Sequence, residues 1–322
     1  MLKVTGIVKS YDWGSGHDSL VCQLANNGNH IVPTDTNTFA ELWIGTHPSG
    51  RSNIPHDLPY LLKVLSIQKA LSIQVHPNKE QAQRLHTDQP DVYKDPNPKP
   101  EVAVALSETF EALAGLLTPD IVSDNLEQFP ELTGINTLAK YLQSHVNIVD
   151  IVDRIIQKSH HSELDCLILR LNKQFPGDVG VLCPIYIQYH KFKRGQAMYI
   201  PPGCPHAYIS GEIVEAMICS DNVVCVGLTN KHKDIPTLIA ILSDSQPDIF
   251  DSPLQAEATY IVDGEFTLSI MHTSMDESKQ LEVKKYTTIL VLEGKDKGHA
   301  FFVEKQGWIH LPSDNTMYAV IC

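Results

Sequence analysis

The sequence predicts a mainly β protein with an all-α segment inserted into it. Short β-branched stretches separated by Gly, Pro and Asn fill residues 1–106. Apolar residues at three-to-four spacing follow in 107–180, and alternating strand patterns return after them. We therefore expect a first β domain made of 1–106 and 181–244, an inserted helical domain at 107–180, and a C-terminal β domain at 245–322.

The composition excludes several classes of protein. A formal net charge of −13 over 322 residues argues against nucleic acid or an anionic membrane as the main partner. The longest apolar runs, such as "TTILVL", are too short to span a bilayer, and the first residues lack the apolar region of a signal peptide. Seven scattered cysteines, none in a C-x-x-C pair, fit free thiols. We expect a cytoplasmic monomer that binds a small molecule.

Capping residues predict where several helices begin. Asn78 is a suitable N-cap for a helix at 78–87, and Thr118–Pro119 and Asn136–Thr137 are suitable starts in the helical segment. One more short helix is expected near 235–243, inside the second part of the first β domain.

The stretch "SIQVHP" at 72–77 carries the first chemical signal. Ser72, Gln74 and His76 alternate with apolar residues, so their side chains share one face of a strand. Pro77 ends that strand. A buried polar face is costly unless a partner satisfies it, so the pattern predicts a partner opposite these three residues.

Three other stretches could supply that partner. In "NPKPEVAVAL", a Lys–Glu face continues into alanines, which leaves space beside the charges. In "PPGCPHAYISG", a His and a Tyr follow a tight turn, and "GEIVEAMICSD" sets acidic residues among apolar ones. The polar residues of these stretches are Lys99, Glu101, His206, Tyr208, Glu212, Glu215 and Asp221.

Gln74, His76, Glu101 and His206 together could form an N/O site suited to zinc or another borderline divalent ion. Spacing alone leaves a second interpretation open, because a buried His or Glu in a β protein is more often a structural group with a hydrogen-bond partner. Gln is also an uncommon zinc ligand.

The turn before His206 favours the metal interpretation. Gly195, Pro201, Gly203 and His206 follow the spacing of the second metal-binding motif of cupins, which are small jelly-roll barrels. The final Asn of that motif is Ser210 in this sequence.

Five blocks, in one order between residues 5 and 240, resemble those of type I mannose-6-phosphate isomerases (phosphomannose isomerases). They are "FAELWIGTHPSG", "LSIQVHPNKEQAQRLH", "YKDPNPKPEVAVAL", "PHAYISGEIVEAM" and "SDNVVCVGLTNKHKD". The resemblance implies two cupin-like jelly-roll domains, with an all-α domain inserted into the catalytic one. It also implies one zinc ion per chain and the interconversion of mannose 6-phosphate and fructose 6-phosphate through a cis-enediol.

The resemblance also implies roles for individual residues. Its zinc ligands match Gln74, His76, Glu101 and His206. Its residues near the substrate match Lys99, Tyr208, Glu215 and Asp221, without settling which is the base, and a purely structural role stays open for each, as for Glu212. The resemblance also implies that Ser72 lies near the substrate phosphate. Together with Lys99 and Lys79, Ser72 could supply the donors that a phosphate needs in a chain of net charge −13.

Cys225 departs from the family pattern, which has a catalytic arginine at this position. Arginine offers a permanent charge and several donors, and losing such a donor costs about 3–4 kcal/mol of transition-state stabilisation. Lys231 could serve as another base. We expect a reduced isomerase rate, because the implied ligands and Lys99 are intact. The alternatives are a non-catalytic cupin that binds metal and sugar phosphate, and a metal-free β-scaffold.

Overall fold

The computed structural model describes residues 1–251, 257–262, 264–275, 279–312 and 314–322. It confirms the mainly β fold with an inserted helical segment. The strands are β1 (Leu2–Val4), β2 (Ile7–Lys9), β3 (Glu41–Gly45), β4 (Tyr60–Ile67), β5 (Ile73–Val75), β6 (Glu101–Ala105), β7 (Thr109–Leu116), β8 (Ile187–Lys193), β9 (Ala197–Ile200), β10 (His206–Ile218), β11 (Val224–Gly227), β12 (Asp248–Phe250), β13 (Ala258–Val262), β14 (Phe266–His272), β15 (Lys279–Val283), β16 (Thr287–Glu293), β17 (Ala300–Val303), β18 (Gly307–Leu311) and β19 (Met317–Ile321).

The helices confirm the predicted starts. They are α1 (Leu20–Gly28), α2 (Lys79–Asp88), α3 (Pro119–Leu126), α4 (Leu138–Gln143), α5 (Ile148–Ile156), α6 (Glu163–Gln174) and α7 (Ile235–Ile241). Asn78 caps α2 in a capping box with Gln81, and Thr118 and Thr137 are the N-cap residues of α3 and α4. Among the helices of the described residues, none is long and apolar enough to cross a membrane.

The long strand β10 organises the first β unit. Its second half pairs with β4 and β6, and its first half pairs with β5 and β7. Between the halves lies Gly211 at φ 116°, where an added Cβ would meet the Thr109 carbonyl oxygen at 2.8 Å. Only glycine fits this corner, so β10 can cross from one sheet layer to the other and bring residues of both layers to one site.

The helical segment begins later than predicted. Residues 109–116, within the expected helical range 107–180, form strand β7, which pairs with β8 and β10. The helices themselves run from Pro119 to Gln174. The partner strands of β7 are distant in the sequence, so its apolar content could not be distinguished locally from that of a helix.

The ends of the two β units also differ from the prediction. β1, expected in the first unit, pairs with β17 in the six-stranded sheet of the C-terminal unit. β12, expected in the C-terminal unit, pairs with β9 in the first. Helix α1, capped by Ser19, was not predicted at all within the strand-rich residues 1–106. The division into domains otherwise stays a prediction.

The helical segment packs tightly behind the strands that will carry the site. Its buried apolar residues share one core with Ile73, Val75 and Val224 of β5 and β11. Gly180 and Gly227 lie back to back, since an added Cβ on Gly227 would lie 2.5 Å from the Gly180 Cα. This contact leaves no room for a side chain and fixes β11 against the segment.

Candidate metal centre

Three neighbouring strands place polar side chains on one face. Gln74 of β5 is paired with His206 of β10 on one side and with Cys225 of β11 on the other. Directly paired residues of antiparallel strands point to the same face, with Cβ atoms about 4.5–5.5 Å apart. Cys225, Gln74 and His206 therefore form one row on one face of these strands.

His76 and Glu101 converge with His206 at the end of this row. The two imidazole Nε2 atoms lie 3.3 Å (His76) and 3.4 Å (His206) from the two carboxylate oxygens of Glu101. Ligand atoms of the three residues all lie within 4.8 Å of one another, and each residue is at most 1% exposed. The structure thus brings together the three predicted ligands that have ionisable side chains.

The hydrogen bond made by Nδ1 shows where each imidazole carries a proton. Nδ1 of His76 lies 2.8 Å from the Asn222 main-chain oxygen, and Nδ1 of His206 lies 3.0 Å from that of Cys204. A carbonyl oxygen only accepts, so each Nδ1 carries the proton and donates it. A ring that is neutral with its proton on Nδ1 presents an Nε2 lone pair, and neither Nε2 has a hydrogen-bond partner within the part of the chain that the structure describes.

This arrangement fits a bound cation. Two lone pairs facing a carboxylate repel it, whereas a divalent ion between them would satisfy all three groups. Burial lowers the pKa of His76 to about 4, with a further contribution from Lys99, so the ring stays neutral as a ligand requires.

Glu101 is held ionised by its neighbours. Lys99 Nζ lies 2.6 Å from Oε1, and the Tyr208 hydroxyl donates to Oε2 at 3.2 Å. Burial would raise the pKa of the Glu101 carboxyl, yet the Lys99 ammonium helps to hold that pKa well below its usual value. Lys99 and Tyr208, both predicted catalytic residues, therefore contact a candidate metal ligand directly.

A cavity of about 690 Å³ opens in front of this cluster. Gln74 and Glu101 lie on its wall, whereas His76 and His206 do not line it. The lining includes the predicted substrate-side residues Ser72, Lys99, Tyr208, Glu215, Asp221 and Cys225. Lys79, proposed near the phosphate, is exposed on α2 and outside the lining.

Glu215 faces the cavity as half of a buried ion pair that the sequence analysis missed. Its Oε2 lies 2.8 Å from Nζ of Lys63, which is paired with it across β4 and β10. Burial and the charge of Glu101 raise the pKa of Glu215. Glu41, which accepts from Trp43 Nε1 at 2.5 Å, also faces the cavity. Lys63 and Glu41 were both missed by the sequence analysis. The signal that could have identified them is a single charged residue within an otherwise apolar strand.

Asp221 lies at the rim of the cavity beside a second missed residue. Its Oδ1 is 3.3 Å from Nε2 of His47, a nearly buried ring that packs edge-on against Trp43. Nδ1 of His47 accepts from the Ser49 N–H, so Nε2 carries the proton and donates to Asp221. This hydrogen bond lowers the pKa of Asp221, which stays ionised.

Glu212, by contrast, has a structural position. Its carboxylate accepts from the Leu20 N–H at 2.6 Å and from the Ser66 hydroxyl at 2.9 Å. These contacts tie β10 to the start of α1 and to β4, and Glu212 does not line the cavity.

Cys225 presents a neutral thiol at the position where the resemblance implies an arginine. Its Sγ lies 3.4 Å from the Ser72 hydroxyl oxygen, and the residue is 8% exposed. Burial raises the pKa of this thiol, although Lys231 and Lys99 partly oppose the shift. The thiol therefore offers no charge at neutral pH, and the cations that act on it electrostatically are Lys231 and Lys99.

Two family models match the chain. The model described as phosphomannose isomerase type I, catalytic domain, matches residues 1–57 and 53–117, and the model of the helical insertion domain of the same family matches residues 132–187.

Full-length relatives agree with these models. The chain is 31% identical to mannose-6-phosphate isomerase 2 of Arabidopsis thaliana, over 96% of this chain and 90% of that protein. It is 32% identical to mannose-6-phosphate isomerase of Bos taurus, over 89% and 86%.

Solved structures share the fold. A mannose 6-phosphate isomerase from Salmonella typhimurium, bound to fructose 6-phosphate and zinc, superposes with a TM-score of 0.78 at 22% identity, covering 99% of this chain and 98% of that one. A mutant of phosphomannose isomerase from the same organism gives a TM-score of 0.79 at 23% identity, covering 100% of this chain and 99% of that one.

Proposed function

The chain belongs to the type I phosphomannose isomerase family, and on that premise we propose that it is a zinc-dependent aldose–ketose isomerase. It would interconvert mannose 6-phosphate and fructose 6-phosphate through a cis-enediol. The observation that carries the proposal is that the buried Nε2 atoms of His76 and His206, without hydrogen-bond partners among the described residues, face the Glu101 carboxylate beside a cavity of about 690 Å³.

Gln74 would complete the ligand set. Its place in the register next to His206 supports this role, and its amide oxygen is neutral. Two imidazoles, one amide and one carboxylate leave a divalent site with a net charge near +1, which suits it to an anionic transition state. When bound, zinc would act as a Lewis acid that stabilises negative charge forming on the substrate oxygen.

Glu215 is our candidate for the group that moves the proton between C2 and C1. Its raised pKa brings it closer to the range in which a carboxyl can both accept and return a proton near neutral pH. Lys99 and Tyr208 are already engaged with Glu101. Asp221, with a lowered pKa, would instead accept a hydrogen bond from a substrate hydroxyl at the rim.

The substrate phosphate would lie near Ser72. The hydroxyl of Ser72 is next to Cys225, and both Lys99 and Lys231 act electrostatically on that thiol. A hydroxyl donor and two cations provide the local positive environment that a phosphate needs in a chain of net charge −13.

Cys225 supports a reduced rate as part of this proposal. The family arginine would add a fixed, forked cation here, and the lysines can supply charge without that geometry. The same residue favours the second candidate function, a non-catalytic protein that binds metal and sugar phosphate, because an uncharged thiol replaces the arginine.

The deciding experiment is isomerisation of mannose 6-phosphate by purified protein of known zinc content, measured as fructose 6-phosphate formed. Turnover that a chelator abolishes and zinc restores is the expected result. About one zinc per chain without turnover would favour the binding protein, and turnover insensitive to chelator would contradict the zinc mechanism. A cytoplasmic location and a monomeric state stay predictions from the sequence, and light scattering would check the latter.

A further inference from the structure

His76 is oriented by a loop that belongs to no strand ladder. The β5–β11 ladder begins where Val224 pairs with Val75. Asn222 lies just before that ladder, and its main-chain oxygen accepts the Nδ1 proton of His76 at 2.8 Å. Ladder hydrogen bonds therefore do not place this oxygen, so other contacts of the loop 219–223 must do so.

The side chain of Asn222 supplies those contacts. Its Nδ2 donates to the main-chain oxygens of Asp95 at 2.7 Å and of Asn97 at 2.8 Å. Its own N–H donates to the Ser220 hydroxyl at 3.1 Å. Asn222 is 1% exposed, so these bonds form away from water, where losing them costs most.

The carboxylate of Asp95 also binds the loop 219–223. Its Oδ1 accepts from the Ser220 hydroxyl at 3.0 Å, and its Oδ2 accepts from the Asp221 N–H at 2.7 Å. We call Asp95, Asn97, Ser220 and Asn222 the loop clamp. It joins the loop that carries Asp221 to the segment that leads into Lys99.

We infer that Asn222 is a positioning residue of the metal centre, acting through the loop clamp. Its pinned amide fixes the carbonyl that selects the His76 tautomer and aims Nε2 at Glu101. The inference rests on the proposed function, since it concerns affinity for the proposed zinc. Outer partners of metal-bound histidines typically contribute about 10–100-fold to metal affinity, and this partner is a main-chain oxygen of a residue whose side chain makes two of the contacts of the loop clamp.

The test is Asn222→Asp, which keeps the shape of the side chain and removes the hydrogen bonds that Nδ2 donates to Asp95 and Asn97. A carboxylate would also repel the Asp95 and Asn97 carbonyls. We expect the variant to bind Zn²⁺ about 10–100-fold more weakly than the wild type in competition with a chromophoric chelator.

Asn125→Asp is the matched control. Nδ2 of Asn125 donates to the Ile185 oxygen at 3.1 Å in the helical segment, outside the cavity lining. This control undergoes the same chemical change and should keep the wild-type zinc affinity. A merely structural role for Asn222 would lower the unfolding temperature of the zinc-free protein without changing its zinc affinity.

Ser220→Ala is a milder second variant that keeps the inference testable if Asn222→Asp fails to fold. It removes one hydroxyl from the loop clamp and should also weaken zinc binding. Wild-type zinc affinity in each variant that folds would overturn the inference and leave the proposed function intact. Absence of zinc binding by the wild type would instead overturn the proposed metal site and the inference with it.

Discussion

Replacing Lys63 with Met should strongly destabilise the folded protein. The Lys63–Glu215 pair is 2.8 Å long, and its side chains are 8% and 4% exposed. Methionine keeps an unbranched apolar stem of similar length but leaves the Glu215 carboxylate unpaired. Breaking a buried pair from one side costs about 3–5 kcal/mol of unfolding free energy.

The loss should depend on pH in a defined direction. In the wild type, burial and the charge of Glu101 already raise the pKa of Glu215, and removing Lys63 raises that pKa further. The pKa of this carboxyl in the folded protein lies above its value of about 4.3 in the unfolded chain. Such a group begins to destabilise the fold as the pH rises above the unfolded pKa, and the destabilisation is complete above the folded pKa. The deficit of Lys63→Met should therefore shrink as the pH falls through the folded pKa.

Urea unfolding at several pH values, at a fixed zinc concentration, measures this effect. The double variant Lys63→Met/Glu215→Gln removes both charges and should recover much of the lost stability. Lys69→Met is the control, because its pair with Asp12 is 26% and 75% exposed, and it should cost about 1 kcal/mol or less. The reasoning is refuted if Lys63→Met loses no more stability than Lys69→Met, or if the double variant is as unstable as the single one.

Three further predictions concern the site and the joint between the β units. Cys225→Arg should raise kcat by about 10²–10³-fold if the missing cation limits the rate, whereas Cys225→Lys should gain less; an unchanged rate would show that the chain compensates otherwise. Glu101→Gln should weaken zinc binding by at least about 100-fold in chelator competition, because it removes the anionic ligand; retained affinity would exclude Glu101 as a ligand. His30 accepts from the Gly6 N–H at 2.7 Å through Nδ1, and its Nε2 lies 2.7 Å from the Gly298 oxygen. Burial lowers the pKa of His30, so the folded protein should lose stability as the pH falls below about 6.5, the value of an unfolded histidine. His30→Gln should flatten the pH dependence of the unfolding temperature.

Features that depend on neighbouring residues were predictable from the sequence. The capping hydrogen bonds of Asn78 and Thr137 lie within a single turn, and Thr118 starts α3 together with the proline that follows it. The alternation that placed Gln74 and His76 on one face needs only one strand. The resemblance then connected these two residues to ligands far along the chain.

Features that depend on distant pairing were not predictable in this way. The apolar content of β7 fits a helix as well as a strand, and only its pairing with β8 and β10 distinguishes the two. The sequence of β1 gives no local sign that its partner is β17. At the site, Lys63 is a single charge in "YLLKVLSI", and its partner Glu215 is apparent only once β4 and β10 are in register. A lone charge in an apolar strand predicts a buried partner without identifying it.

The pairing of β1 with β17 has a consequence for synthesis of the protein. Leu2 lies opposite Phe302, so β1 is synthesised long before its partner strand β17. Closing so long a loop is slow, and until then β1 is an unpaired strand able to join another chain. We therefore expect the C-terminal sheet to complete only after β17 has been made, and β1 to stay exposed as an unpaired edge until then.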